Sequence, residues 1–278
     1  AFIVCKNIKE SIKVIEISAG EFHTLALKDD GTPTTWGNYK GEQCKVPRGL
    51  ENIKEVSAGG WYNVALKEDG TVVAWERNGY GRWLPGWLDN VKAISAGYEH
   101  IVAIKEDGTV VAWGDNQYDQ CDVPEGLDNV KAISAGGGHT VALKEGGSVV
   151  AWGWNDDGQC DVPENLMNVK AISAGGWHTV ALKEDGTVVA WGFNYDGQCN
   201  VPAYLDNVKA ISAGGGHTVA LKEDGELVAW GDNYYGQCDV PTGLDSVKAI
   251  SAGGFHTVAL KEDGTVVAWG WNDDGQCD

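Results

Sequence analysis

The strongest constraint on this chain is a period. The tripeptide Ser-Ala-Gly recurs with its serine at Ser18, Ser57, Ser95, Ser134, Ser173, Ser212 and Ser251, at steps of 39, 38, 39, 39, 39 and 39 residues. A typical unit reads V-K-A-I-S-A-G-G-x-H-T-V-A-L-K-E-D-G-T-V-V-A-W-G-x-N-x-x-G-Q-C-D-V-P-E-G-L-D-N, and copies of it span nearly the whole chain. A fixed period of this length is the signature of solenoids, propellers and repeat arrays. Comparing the seven copies separates what the scaffold requires from what it leaves free.

Each unit resolves into short β segments. K-A-I-S-A, H-T-V-A-L and T-V-V-A-W have the usual strand length, and Q-C-D-V predicts a shorter fourth. Lys-Glu-Asp-Gly between the second and third fits a hairpin whose Gly supplies a positive φ. N-x-x-G joins the third to the fourth, and the following Pro ends pairing because it has no N–H to donate. Val, Thr and Trp content with closely spaced glycines excludes a helical solenoid. Four antiparallel strands in each unit describe a propeller blade. The expected fold is therefore all-β: a seven-bladed β-propeller of 39-residue four-stranded repeats, with residues 1–278 as a single domain. The first strand, rich in Ala, Ser and Gly, belongs innermost, where blades crowd the axis.

Closure follows from counting. The fourth-strand cysteine appears at Cys5, Cys44, Cys121, Cys160, Cys199, Cys238 and Cys277, with Trp83 in the remaining slot. Cys5 and Cys277 share one place in the repeat. This predicts that Ala1–Cys5 pairs within the last blade, beside or in place of Gln276–Asp278, closing the ring of N- and C-terminal segments and hiding sheet edges.

Units reading G-x-H-T-V-A-L-K-E-D-G-T-V-V-A-W-G resemble the regulator-of-chromosome-condensation repeat family along all seven copies. Within that family the short unit and lack of insertions are most similar to the secreted propeller-type β-lactamase inhibitory proteins, also seven-bladed. That resemblance implies a binding face built from loops, with aromatic side chains inserted toward an enzyme. The chromosome-associated exchange factors have longer units. Plant ultraviolet-B photoreceptors place Arg in G-W-R-H-T, whereas Gly176-Trp177-His178-Thr179 has none.

In a meander the turns alternate between the two ends of a blade, so the first and third turns of every unit share one face. The opposite face, Lys-Glu-Asp-Gly, barely varies. The first turn presents Phe22, Trp61, Glu99, Gly138, Trp177, Gly216 and Phe255, and Tyr62 takes the His slot of the second unit. The third presents Tyr39, Arg77, Tyr80, Tyr118, Trp154, Phe193, Tyr195, Tyr234, Tyr235 and Trp271. Large aromatics free to vary on rigid loops point to a partner-binding surface, and Phe22, Tyr62, Phe255 and the third-turn set are its candidate residues together with Trp61 and Trp177. Seven of the thirteen tryptophans recur in the third strand and read as core. Trp83 and Trp87 read as repacking the shortened second unit.

Other constellations are weaker. Six histidines, one per blade, stand too far apart to share a Zn²⁺ and read as hydrogen-bonding groups. Asp156-Asp157 and Asp273-Asp274 lack Ca²⁺-loop spacing and read as turn residues able to touch a basic rim. Equivalent cysteines on adjacent blades exceed bridging distance, so they read as small buried free thiols, favouring a reducing or anaerobic setting. That compartment is in tension with a secreted inhibitor. No nucleophile, base and orienting group stand outside the repeat, so no enzyme, cofactor or metal is expected. The second unit, Glu76 to Trp83, breaks the consensus with two of the three arginines, open to both binding specialisation and drift.

Charge sets the partner class. Twenty-one Lys plus Arg against 40 Asp plus Glu gives −19, which repels phosphate backbones and anionic membranes. No run of eighteen apolar residues and no basic start with a cleavage site is present, and without an initiator Met the expectation is of an upstream piece that has been removed. The expected function is a monomeric protein-binding propeller, with a class A β-lactamase as candidate partner. The alternatives are a carbohydrate-binding, lectin-like propeller and a generic interaction scaffold.

Overall fold

A computed structural model describes residues 12–37, 44–76, 79–80 and 84–278. Each unit forms one antiparallel sheet, seven in all, with strands in the order of the chain. In the fourth unit the inner strand is Val130–Ala135, the middle His139–Lys144 and the outer Val149–Gly153. The middle strand His-Thr-Val-Ala-Leu is buried at five successive positions because both faces of a blade are covered by neighbouring blades. The core is thus a circle of layers between blades. One layer holds Leu143, Val169, Ala181 and Trp191.

The turns behave as their residues dictate. Lys144-Glu145-Gly146-Gly147 closes the hairpin with Gly147 at φ 78°, and the N–H of Gly147 reaches the Lys144 carbonyl at 2.9 Å. The fourth segment departs from expectation. Six of the seven sheets have three strands among the described residues, and only the second blade adds a fourth, Gly79–Tyr80. Elsewhere Asn captures the strand's backbone: Asn116 Oδ1 accepts the Cys121 N–H at 2.8 Å, and the Asp122 N–H turns back to the Asp119 carbonyl. Those donors are then lost to a ladder. The segment docks through the carbonyl of Gln120, which accepts the Thr140 hydroxyl at 2.8 Å and the Trp152 indole N–H at 3.1 Å on the following blade.

The ring closes with the same bonds. Gln276 C=O accepts from Thr24 Oγ1 at 3.2 Å and Trp36 Nε1 at 3.0 Å, and the Ala19 N–H reaches Ser251 Oγ at 2.9 Å. Gln276 therefore fills the docking slot of the first blade. The expected pairing of Ala1–Cys5 lies outside the described residues.

Candidate binding face

The copied polar groups are structural. Each histidine Nε2 lies 2.9–3.0 Å from the threonine hydroxyl of the next blade, except that His23 meets Asn63 Oδ1 at 2.8 Å. Threonine donates its own proton to the Gln carbonyl, so the imidazole donates from Nε2. Burial pushes the histidines down to about 3–4 and holds them neutral.

Tyr62, read from the sequence as part of the binding face, belongs to this layer instead. It is 7% exposed, with its hydroxyl 2.6 Å from the His100 carbonyl and 3.1 Å from that of Gly97. It replaces a histidine between blades and is unavailable to a partner. Five of the seven recurrent tryptophans are buried as expected, with Trp75 at 1% exposure, while Trp36 and Trp230 are half-buried.

The cysteines are half-buried, not buried. Their thiols donate to third-turn carbonyls, as from Cys121 Sγ to Asp115 O at 3.2 Å, and burial raises them to about 11–12. The six described cysteines are unpaired. Trp87, expected to repack the second unit, is instead exposed in the loop after it. Among the described residues no three His, Cys, Asp or Glu side chains converge as a metal site.

The remaining aromatics do gather at one mouth. Phe22 lies 4.6 Å from Trp61, 5.3 Å from Trp271 and 6.0 Å from Phe255 between ring centroids. Tyr235 joins Phe255 and Trp271, each at 5.7 Å, and carries Tyr234 beside it. Around the ring, Trp177 meets Tyr98 and Phe193, which meets Tyr195, while Tyr118 stacks on Trp154 at 5.3 Å. A cavity of about 220 Å³ walled by Trp61, Tyr98, Tyr118, Trp154 and Trp177 links the two groups. Tyr195 and Tyr234 stand outward at 87% and 84% exposure. Tyr39, Arg77 and Trp83 lie outside the described residues, and Tyr80 is placed only by its backbone strand.

Sequence reading missed two residues at this mouth. The second Gly of S-A-G-G is Glu21 in the first unit and Tyr98 in the third. A Cβ on Gly176, two blades away, would stand 3.0 Å from the Tyr98 hydroxyl, so this ring reaches across the axis. Glu21 is pushed up to about 7 by burial and by the charge of Glu99. Below them Gln120 Nε2 donates to Asp115 Oδ2 at 3.0 Å. The signal was available: these are substitutions in a slot that is otherwise glycine.

Comparison with known proteins agrees with this architecture. The regulator of chromosome condensation (RCC1) repeat matches residues 91–120, 130–159, 169–198, 208–237 and 247–276, just over half the chain. The first two units, which diverge most, fall outside those segments. No curated protein sequence matches. Among solved structures, the ectodomain of the Physcomitrella patens receptor kinase CR4 superposes with a TM-score of 0.76 at 18% identity, covering 93% of this chain and 74% of that one. Saccharomyces cerevisiae Prp20p gives 0.71 at 20%, covering 94% and 83%. The CRINKLY WD40 ectodomain of the Arabidopsis thaliana receptor kinase ACR4 gives 0.71 at 19%, covering 93% and 98%.

Proposed function

The chain belongs to the regulator of chromosome condensation (RCC1) repeat family, and from that premise we propose that it is a protein-binding propeller whose aromatic mouth is the contact surface. One observation carries the reading: the bulky side chains that the scaffold does not copy gather at one mouth, where Phe22, Trp61, Trp271 and Tyr235 pack together from four blades and Trp61 also walls the cavity lined by Tyr98, Tyr118, Trp154 and Trp177. Exposed aromatic patches of this kind mark interfaces, and Trp and Tyr dominate their energetics. Yeast Prp20p, which shares the fold, is described with binding to Gsp1p and histones and in complex with Kap60.

A class A β-lactamase is the named candidate partner, on the aromatic turns and short units. Titrating purified class A β-lactamases with the chain tests it: inhibition at micromolar concentration or below supports the candidate, and full activity there removes it. With a partner in hand, Trp61→Ala, Trp177→Ala and Trp271→Ala should each weaken binding by about 2 kcal/mol or more. A lectin would offer each blade's ring as a separate platform. Here Phe22, Tyr235, Phe255 and Trp271 pack on one another, which favours a single extended partner.

A further inference from the structure

The mouth is segregated by charge as well as by shape. Among the described residues, the first and third turns of the blades contain ten carboxylates, from Glu21 and Glu99 round to Asp273 and Asp274, and no Lys or Arg. The lysines of the opposite face are neutralised in place, as Lys105 by Asp89 and Lys144 by Asp128, each at 2.7 Å. Among the described residues the acidic charge around the aromatic cavity is therefore not balanced by a cation on the same face.

Gly138 lines that cavity. The same slot holds Trp61 and Trp177 in other blades, and without a side chain there the stacked pair Tyr118 and Trp154 flanks an open space. Glu21, Glu99 and Asp115 line it alongside the aromatic rings. Glu21 and Glu99 repel each other across it. Ring faces and carboxylates together favour one ligand charge, since a cation is drawn to both the quadrupole of an indole or phenol and the carboxylates.

We propose that this cavity receives one cationic side chain, a lysine ammonium or arginine guanidinium, projecting from the protein partner. It rests on the protein-binding reading and gives the partner its chemistry: a protruding basic residue, seated between Trp61, Tyr98, Tyr118, Trp154 and Trp177 and met by Glu21, Glu99 and Asp115. The rest of the mouth then packs on apolar surface around that anchor.

The test needs no partner. Nα-acetyl-arginine methylamide and Nα-acetyl-lysine methylamide are titrated against the whole chain by tryptophan fluorescence and by NMR, with the citrulline analogue as a neutral isostere. At least one cation should bind with a Kd of about a few millimolar, and citrulline at least about tenfold more weakly, the order expected of a single cation in an aromatic and acidic site. Glu99→Gln should weaken the cation about fivefold or more, while Glu184→Gln, the same charge change on the opposite face, should leave it unaltered. Gly138→Trp should abolish binding. A Cβ at that position meets Trp154 and Tyr118 at 3.4–3.5 Å, ordinary contact, and a urea unfolding curve run beside the titration checks that the variant is folded. Citrulline binding as tightly as arginine, no cation binding up to about 50 mM, or binding undisturbed in Gly138→Trp overturns the proposal. Retained partner binding alongside any of these sinks only the cation site. Cation binding by a chain that no protein partner engages through its tryptophans sinks the protein-binding reading.

Discussion

His256 Nε2 lies 3.0 Å from the hydroxyl of Thr24, two residues separated by 232 positions in the chain and adjacent across the closing seam. Thr24 is fully buried and passes its own proton to Gln276 C=O, which also accepts from Trp36. The last three residues thus complete a network that the seams onto the fourth to seventh blades complete with the internal carbonyls of Gln120, Gln159, Gln198 and Gln237. Deleting residues 276–278 should leave the Thr24 hydroxyl and the Trp36 indole N–H without acceptors, at about 1–3 kcal/mol each. Urea unfolding measures it. An unchanged midpoint would show that the seam is held by apolar packing alone.

The His–Thr bond is itself tested by the one blade that has no histidine. Tyr62 replaces histidine, and the threonine slot on the next blade is Ile101. The tyrosine sends its hydroxyl to backbone carbonyls and asks nothing of that neighbour. Thr140→Val should therefore cost about 1–3 kcal/mol by stranding His100 Nε2–H. His100→Tyr with Thr140→Ile copies the natural pair. A double-mutant cycle should show favourable coupling of about 1 kcal/mol or more, and strict additivity would refute the account.

Legibility in the sequence follows copying. Strand order, hairpin turns and the core tryptophans appear in every unit, so one unit teaches the other six. The fourth strand was misread because Q-C-D-V has strand-like residues, while the competition from Asn116 and its equivalents for the backbone acts at a distance of five residues. Tyr62 was misassigned because an aromatic beside a variable slot resembles a surface residue, and its true partner sits 39 positions away in the absent threonine at Ile101. The mouth was half legible. Its aromatics stood out in the variable slots, but its carboxylates and Tyr98 occupy positions whose importance appears only once the blades converge on the axis.

Glu55 occupies an inner-strand slot that is alanine in the last five units, as at Ala93 and Ala132. Its Oε1 accepts the Ile94 N–H of the next blade at 3.3 Å, yet burial pushes the carboxyl up to about 7. A carboxylate ionised at pH 8 in that site destabilises the fold. Glu55→Gln keeps an acceptor for Ile94 and removes the charge. It should stabilise by about 1–3 kcal/mol at pH 8, allowing for residual solvent screening, and by nothing at pH 4. Equal effects at the two pH values would mean that the gain is not electrostatic.

The histidines set the pH profile of the whole ring. Six are lowered to about 3–4 in the folded state, so their contribution is present above pH 6.5 and is lost as pH falls, because the unfolded chain takes up protons that the fold refuses. Glu16, Glu21 and Glu55, raised to about 7, act in the opposite sense: their contribution is full below pH 4.5 and is lost as pH rises through 7. Near pH 5.5 unfolding binds six protons at histidine and releases three at glutamate, a net uptake of about three, or roughly 4 kcal/mol of lost stability per pH unit. Stability should peak near pH 7 and fall steeply between about 6 and 5, measured by urea unfolding across that range. Replacing His178 by Tyr and Thr218 by Ile removes one titrating group and should flatten the slope by about one proton. A profile that stays level down to pH 5 would mean that these imidazoles accept protons inside the fold, and the neutral His–Thr bond would fall with it.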